Sequence, residues 1–283
     1  AISPKADKLE MAYKSDEWQA EPKMDGSRYI AQVIDGKVFL TSRRESVKGG
    51  MVDKTANVPW IIKELCLLAN CTLDGEIDNR AGRDFHRVQG IMGSLPEKAI
   101  DKQTGDPLVY KVFDILSIGD LDLRTSPLHI RRKYLENIIK DFKYIILVEP
   151  IFGEANKRKA FSEAIEAGME GVILKNKNSL YVEDKKPCNT WYKVKLCNTY
   201  EGVVVGYKEG EGKYKGMLGT LTISQYKDDV LTEVAEISGM TDAQRVEFKD
   251  RIDKGDLNWV VEFKAQEPEG ANCRYRHPRF VRE

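Results

Sequence analysis

Apolar and polar residues alternate with a period of two in several short runs of this chain, and between those runs apolar positions recur every three or four residues. The first spacing buries one face of a strand, the second one stripe of a helix. Residues 28–34 (RYIAQVI) and 37–42 (KVFLTS) are separated only by Asp35-Gly36, which predicts a β-hairpin. Residues 71–78 (CTLDGEID), 108–116 (LVYKVFDIL), 170–175 (EGVILK) and 190–196 (TWYKVKL) also read as strands. Helical spacing marks three segments. In 59–70 proline takes a first helical position and Asn70 the end; in 126–140 Ser126 is the expected N-cap with Pro127 next; 154–168 is stopped by Gly168.

After Asn198 the texture changes. Short strands at 201–208, 216–226, 231–238 and 258–265 are spaced by turns, and the one helix, 241–253, opens on a Thr241/Gln244 capping box. Four or five strands and one helix in about 85 residues fit a small OB-like barrel, a fold suited to nucleic acids. The chain is therefore expected to be α+β, with domains at 1–197 and 198–283.

Composition narrows the class. The chain has 283 residues, 41% of them hydrophobic, and a formal net charge of zero, enough for a large core and two domains. No apolar run approaches the 18 or so residues of a membrane span, and the first residues lack the apolar centre of a secretory signal. Cys66, Cys71, Cys188, Cys197 and Cys273 are odd in number and form no C-x-x-C pair, which argues against a disulfide framework or a thiolate zinc site. A reducing compartment is expected: cytoplasm, or host cytoplasm for a viral protein. His86, His129 and His277 show no ligand spacing, so a metal should be a hard cation on carboxylates, such as magnesium. Positive charge is concentrated at 131–133, 157–159, 185–186 and 274–282. Short charge runs read by default as solvated faces, but the last interleaves Tyr275 and Phe280 with arginines, a pattern suited to phosphates and bases.

Charges inside apolar strands carry the candidate chemistry. Period two puts Trp191, Lys193 and Lys195 on one face, with the two ammonium groups about 7 Å apart along the strand. An anion such as phosphate between them would relieve their repulsion; a lysine-protected strand edge is the alternative. Asp74 and Glu76 flank Gly75, and Glu170 precedes Gly171. Glycine there admits a ligand close to the backbone, although each pair taken singly reads as a turn. Phe113 is by default a core aromatic, and Arg43 and Arg44 are by default solvated. Lys23-x-Asp25-Gly26 would arise by chance in about one chain in fifteen of this size, so it informs only in company.

The company is there. Lys23-x-Asp25-Gly26-x-Arg28, Ser42-Arg43, Asp74-Gly75-Glu76, Phe113-Asp114, Glu170-Gly171 and Lys193-x-Lys195 resemble, in order and interval, the motifs of the covalent nucleotidyltransferases. The chain is most similar to the minimal, phage-type ATP-dependent DNA ligases. The likeness spans essentially the whole sequence, and RHPRFVR (276–282) looks like that family's last motif. It implies a nucleotidyltransferase (adenylation) domain of antiparallel sheets with flanking helices, then an OB-fold domain. It implies a monomer that seals 5′-phosphate/3′-hydroxyl nicks in duplex DNA with ATP and Mg2+, for which Mn2+ can substitute. Lys23, expected on an exposed loop, would attack the α-phosphate and expel pyrophosphate; AMP would pass to the 5′-phosphate; the 3′-hydroxyl would displace it. Lys193, Lys195 and magnesium would hold Lys23 neutral and offset phosphate charge. Glu76 would hold the ribose and, with Glu170, the metal. Phe113 would stack on adenine, and the backbone around Glu21 would read its edge. Arg28 would touch the ribose or incoming strand, Arg43 the 5′-phosphate, and Asp25 would assist at the 3′-hydroxyl. Arg276 and Arg279 would orient pyrophosphate.

Departures from the family set further expectations. Only 22 residues precede Lys23, so the extra N-terminal DNA-binding domain of larger relatives is expected to be absent. No R-x-D-K follows the last motif, leaving Arg276, Arg279 and Arg282 to complete the ATP step. Loop 208–215 is short for a DNA-encircling clasp, so grip is expected from 157–159 and 185–186. Capping guanylyltransferases and RNA ligases share the lysine motif, but EGVILK and RHPRF are closer to DNA ligases. NAD-dependent ligases carry a nicotinamide-binding domain and a cysteine zinc module that this sequence lacks. A non-catalytic OB-type binder would need none of Lys23, Glu76, Glu170, Lys193 and Lys195.

Overall fold

The period-two runs become strands, as their alternation requires. The structure, a computed structural model, describes residues 1–45, 51–82, 84–183, 189–196, 198–266 and 274–283. Helix α1 (Ala6–Lys14) leads into β1 (Trp18–Pro22) and the hairpin of β2 (Ser27–Ile34) and β3 (Lys37–Glu45). Ile34 pairs with Lys37, and Asp35 and Gly36 take φ of 48° and 72°, the left-handed pair of a type I′ turn. There follow β4 (Met51–Asp53), α2 (Pro59–Leu65), β5 (Cys71–Asp78), α3 (Phe85–Met92), α4 (Pro96–Asp101) and β6 (Val109–Ile118). Next come β7 (Leu121–Asp122), α5 (Leu128–Ile138), β8 (Ile145–Leu147), α6 (Glu154–Glu166), β9 (Gly171–Asn176) and β10 (Trp191–Lys195).

These elements form the first of two compact units, Ala1–Lys195. Its larger sheet runs β4-β3-β2-β5-β6-β7, with β8 added parallel to β6, and packs Leu40, Ile61, Leu73, Ile77 and Ile115 into a fully buried core. A smaller antiparallel sheet, β1-β9-β10, is covered by α1 and α6 through Trp18, Leu174 and Tyr192. The second unit, Leu196–Glu283, holds β11 (Asn198–Glu209), β12 (Leu218–Lys227), β13 (Val230–Ile237), α7 (Asp242–Asp253), β14 (Val260–Gln266) and β15 (Arg276–Arg282). Its sheet runs β13-β12-β11-β14-β15, and Ser238 bridges Arg279 in parallel. The fifth strand thus returns to the end of the third, which closes an OB-type barrel around Ile223, Phe248 and Phe263. The Thr241/Gln244 capping box forms as the sequence indicates. Among the described residues no helix is long and apolar enough to cross a membrane. Cys66 and Cys71 are free thiols; the other three cysteines lie outside the described residues.

Three expectations are corrected. Helix α2 ends at Leu65, not Asn70, whose side chain instead accepts from the Asp35 amide and donates to the Asp35 carboxylate, pinning the hairpin turn. Helix α5 starts at Leu128 with Pro127 in the capping position and no side-chain cap, and the Ser126 carbonyl accepts from Arg131. The basic runs 131–133 and 157–159 are only partly solvated: Lys133 and Lys159 are exposed, but Arg131, Arg132 and Lys157 are buried. Arg131 is fully buried and forks onto both oxygens of Asp114 at 2.7 and 2.8 Å, and Arg132 pairs with Glu136 and Glu149. Lys157 is buried, and its ammonium donates to the carbonyls of Ala12, Ser15 and Trp18 at 2.8 to 3.0 Å, closing the end of α1. Arg158 pairs with Glu10 and Glu154, and Lys159 with Glu163. Lys157 thus serves the fold, while Arg158 at 39% and Lys159 at 72% side-chain exposure remain at the surface; 185–186 lie outside the described residues.

Lys157→Ala should therefore take the ammonium away from the buried Ala12 and Trp18 carbonyls, Ser15 keeping the Trp18 amide, and cost about 2–3 kcal/mol. A fall in the urea midpoint at constant m would show it; an unchanged midpoint would place the ammonium in solvent.

Candidate functional site

The site is built on one face of the small sheet. Register aligns Gln19, Lys175 and Trp191 in one row and Glu21, Ile173 and Lys193 in the next, with Lys195 opposite Gly171. Lys23 follows β1 directly, and its amide donates to the Gly171 carbonyl at 2.8 Å, which sets it beside Glu170 and the end of β10. Gly171 has φ of +131°, and a Cβ there would stand 2.2 Å from the Val194 carbonyl oxygen. Only glycine lets β9 and β10 meet at this point.

The larger sheet supplies the opposite wall. Glu76 stands across from Arg28 on β2, and Asp74 across from Ile30. The Asp-Gly-Glu run is the middle of β5 rather than a turn: Gly75 packs where a Cβ would meet the Tyr110 ring at 2.6 Å. Arg28 is held by Asp74, through Nε at 2.8 Å and through Nη2, while the Tyr181 hydroxyl donates to the same carboxylate at 2.7 Å. Glu76 accepts from the Gly26 amide at 2.8 Å. A cavity of about 160 Å³ opens between the walls, lined among others by Lys23, Arg28, Glu76, Phe113, Ile173 and Trp191.

Lys23 forms an ion pair with Glu170, and its side chain is only 19% exposed, which corrects the expected exposed loop. Its pKa lies below the ordinary lysine value, first because of burial. Glu76 and Asp25 oppose that shift; Lys195 and Lys193 reinforce it. Burial, rather than the neighbouring lysines, is thus the main cause. Burial also raises Glu76 to about 7, against the Gly26 hydrogen bond and the charge of Lys23. Phe113 is 7% exposed, yet lines the cavity edge-on to Trp191.

Two participants went unmarked in the sequence reading. Lys175 pairs with Glu21 and holds its ammonium 4.5 Å from the Phe113 ring centroid and 4.1 Å from that of Trp191. Period two on β9 places it on the face of Ile173, a legible signal. Tyr181 reaches Asp74 across 107 residues, and no local pattern announces that. Arg43 lies in β3, with its side chain outside the description; Arg276 and Arg279 stand on β15 in the second unit. Among the described residues no three His, Cys, Asp or Glu are grouped to hold a metal. Glu170 and Glu76 present oxygen alone, which fits a hard cation that takes its other ligands from phosphate and water.

Residues 3–195 match the family described as ATP dependent DNA ligase domain. DNA ligase 2 of Methanosarcina mazei is 32% identical over 263 residues, which cover 87% of this chain and 45% of that protein. Multifunctional non-homologous end joining protein LigD of Pseudomonas aeruginosa is 28% identical over 261 residues, covering 89% and 29%. The chain spans less than half the length of these curated relatives. Of the solved structures, Pmar-Lig_PreS3 aligns with a TM-score of 0.74 and 22% identity over 99% of this chain and 66% of its own. A structure from a study of DNA binding by Lig E DNA ligases aligns at 0.68 and 19% identity over 100% and 96%. At such identities the likeness speaks for the fold.

Glu76 makes stability depend on pH with a definite sign. Its folded pKa, about 7, lies above the ordinary 4.5, so its contribution is fully present below pH 4.5 and is lost as pH rises through 7. Urea midpoints taken from pH 5 to 8 should fall, and Glu76→Gln should flatten the decline. Equal slopes for both proteins would mean that the carboxyl titrates normally.

Proposed function

Because the chain belongs to the ATP-dependent DNA ligase family, we propose that it seals 5′-phosphate/3′-hydroxyl nicks in duplex DNA through a lysyl-AMP and then a DNA-adenylate. The observation that carries this reading is the single cavity in which a desolvated lysine of lowered pKa meets Glu76, Phe113 and Arg28.

Position in the cavity supports the roles of several residues. Phe113 and Ile173 offer apolar surface for adenine, and the backbone at Glu21 borders the same space. Glu76 and Arg28 face the ribose. Lys23, whose charged form burial disfavours, gives up its proton and attacks the α-phosphorus as the free amine: an N–P bond forms, the bond to the bridging oxygen breaks, and pyrophosphate leaves. Lys193 and Lys195 offset the charge that grows on the phosphate. Mg2+ or Mn2+ on Glu170 and Glu76 would supply further charge neutralisation at the phosphates. For the later steps Arg43 would bind the 5′-phosphate of the nick, and Asp25 would take up the 3′-hydroxyl. Of the three arginines considered for pyrophosphate, Arg282 pairs with Glu262 at 2.8 Å; the task is assigned to Arg276 and Arg279, which share β15 with it. Their planar donor forks suit it.

Incubation with ATP and magnesium should add the mass of one AMP, whereas GTP and NAD should add none. Lys23→Arg keeps a cation against Glu170, so it should retain the melting temperature yet lose the adduct. Lys23→Ala should lose both, since it strands a buried carboxylate. A full adduct on Lys23→Arg would remove Lys23 as nucleophile.

The arginines are separable by step. Arg276→Ala and Arg279→Ala should block sealing with ATP while largely sparing a nick that carries a preformed 5′-adenylate, in single turnover. Equal losses on both substrates would assign these side chains to DNA phosphates instead.

A further inference from the structure

Strand β14 lies between β11 and β15, inside the sheet of the second unit. Its outward residues include Glu262 and Lys264, which stand opposite Arg282 and Arg279 of β15. The first pairing is an ion pair, with Arg282 Nη2 donating to Glu262 at 2.8 Å. The second sets two exposed cations directly across from each other. Like charges in that relation repel about as much as opposite ones attract. Among the described residues neither has a carboxylate partner, whereas Arg274 and Arg282 have Glu233 and Glu262. Glu262, one row on, is already taken by Arg282. Protection of a sheet edge accounts for a lysine on an outer strand, but β14 is not one. On its other side, Lys264 faces the exposed Thr199 of β11. Thr199, Lys264 and Arg279 therefore stand in one row on three strands, whose backbones lie about 4.8 Å apart.

We propose that Thr199, Lys264 and Arg279 form a phosphate-binding site on the OB unit. An oxyanion between the two cations converts their repulsion into two charge-assisted hydrogen bonds, and the threonine hydroxyl supplies a third donor. The phosphate comes either from the polyphosphate tail of ATP or from the backbone of duplex DNA; the chemistry of recognition is the same. The site adds Lys264 to the work proposed above for Arg279, and it can be read without any ligase assay.

Lys264→Gln, in buffer free of multivalent anions, should raise the melting temperature by roughly 1 to 4 °C, because it removes the repulsion. Inorganic pyrophosphate at low ionic strength should stabilise the wild-type chain more than Lys264→Gln or Arg279→Gln. The source is read in two arms. If it is ATP, adduct formation at subsaturating ATP falls about tenfold or more in Lys264→Gln while a pre-adenylated nick is still sealed. If it is DNA, the slope of log affinity for nicked duplex against log salt falls by about one and adduct formation is unchanged. Absence of any wild-type adduct would defeat the ligase reading and leave the pyrophosphate comparison intact. No rise in melting temperature, an equal pyrophosphate response in all three proteins, or no loss in either arm overturns the site.

Discussion

An amine taken out of water is the constraint around which the first unit is arranged. An ammonium in such a place is costly unless an anion meets it, and Glu170 does so. Keeping that anion there requires β9 to begin beside Lys23, hence the Lys23 amide bond to Gly171 and the absence of a side chain at Gly171. The result is a lysine held poised, its charge opposed by burial and preserved by a carboxylate.

Other charges in the strands follow the same logic. Arg28 with Asp74, Arg131 with Asp114, Lys175 with Glu21 and Lys111 with Asp78 each join a cation to a well-buried carboxylate. Such pairs contribute little net stability, because the desolvation of both ions offsets their attraction; losing one member is expensive. Their effect here is positional. Two of them, Arg28 with Asp74 and Lys175 with Glu21, fix side chains of the cavity wall in one orientation, and Tyr181 adds a second hold on Asp74.

Local signals in the sequence proved legible where the physics is local. The Asp35-Gly36 hairpin, the Thr241/Gln244 box and the stop at Gly168 each depend on a few neighbouring residues, and each forms. The ordered motifs named the family because their spacing survives even where their contacts cannot be read. Failures cluster where a charge finds a distant partner. Arg131 meets an acid 17 positions away, and Lys157 meets carbonyls 139 to 145 positions away. Composition cannot tell such residues from a solvated run. The depressed pKa of Lys23 was expected from visible lysines, yet burial, which sequence does not display, comes first.

Trp191 occupies an unusual position among these side chains. Its indole lines the cavity, stands edge-on to Phe113, and has the Lys175 ammonium 4.1 Å from its centroid. A molecule seated in the cavity would cover that indole. The chain therefore carries its own optical gauge: emission from one tryptophan in the wall changes with occupancy of the cavity, with no label attached.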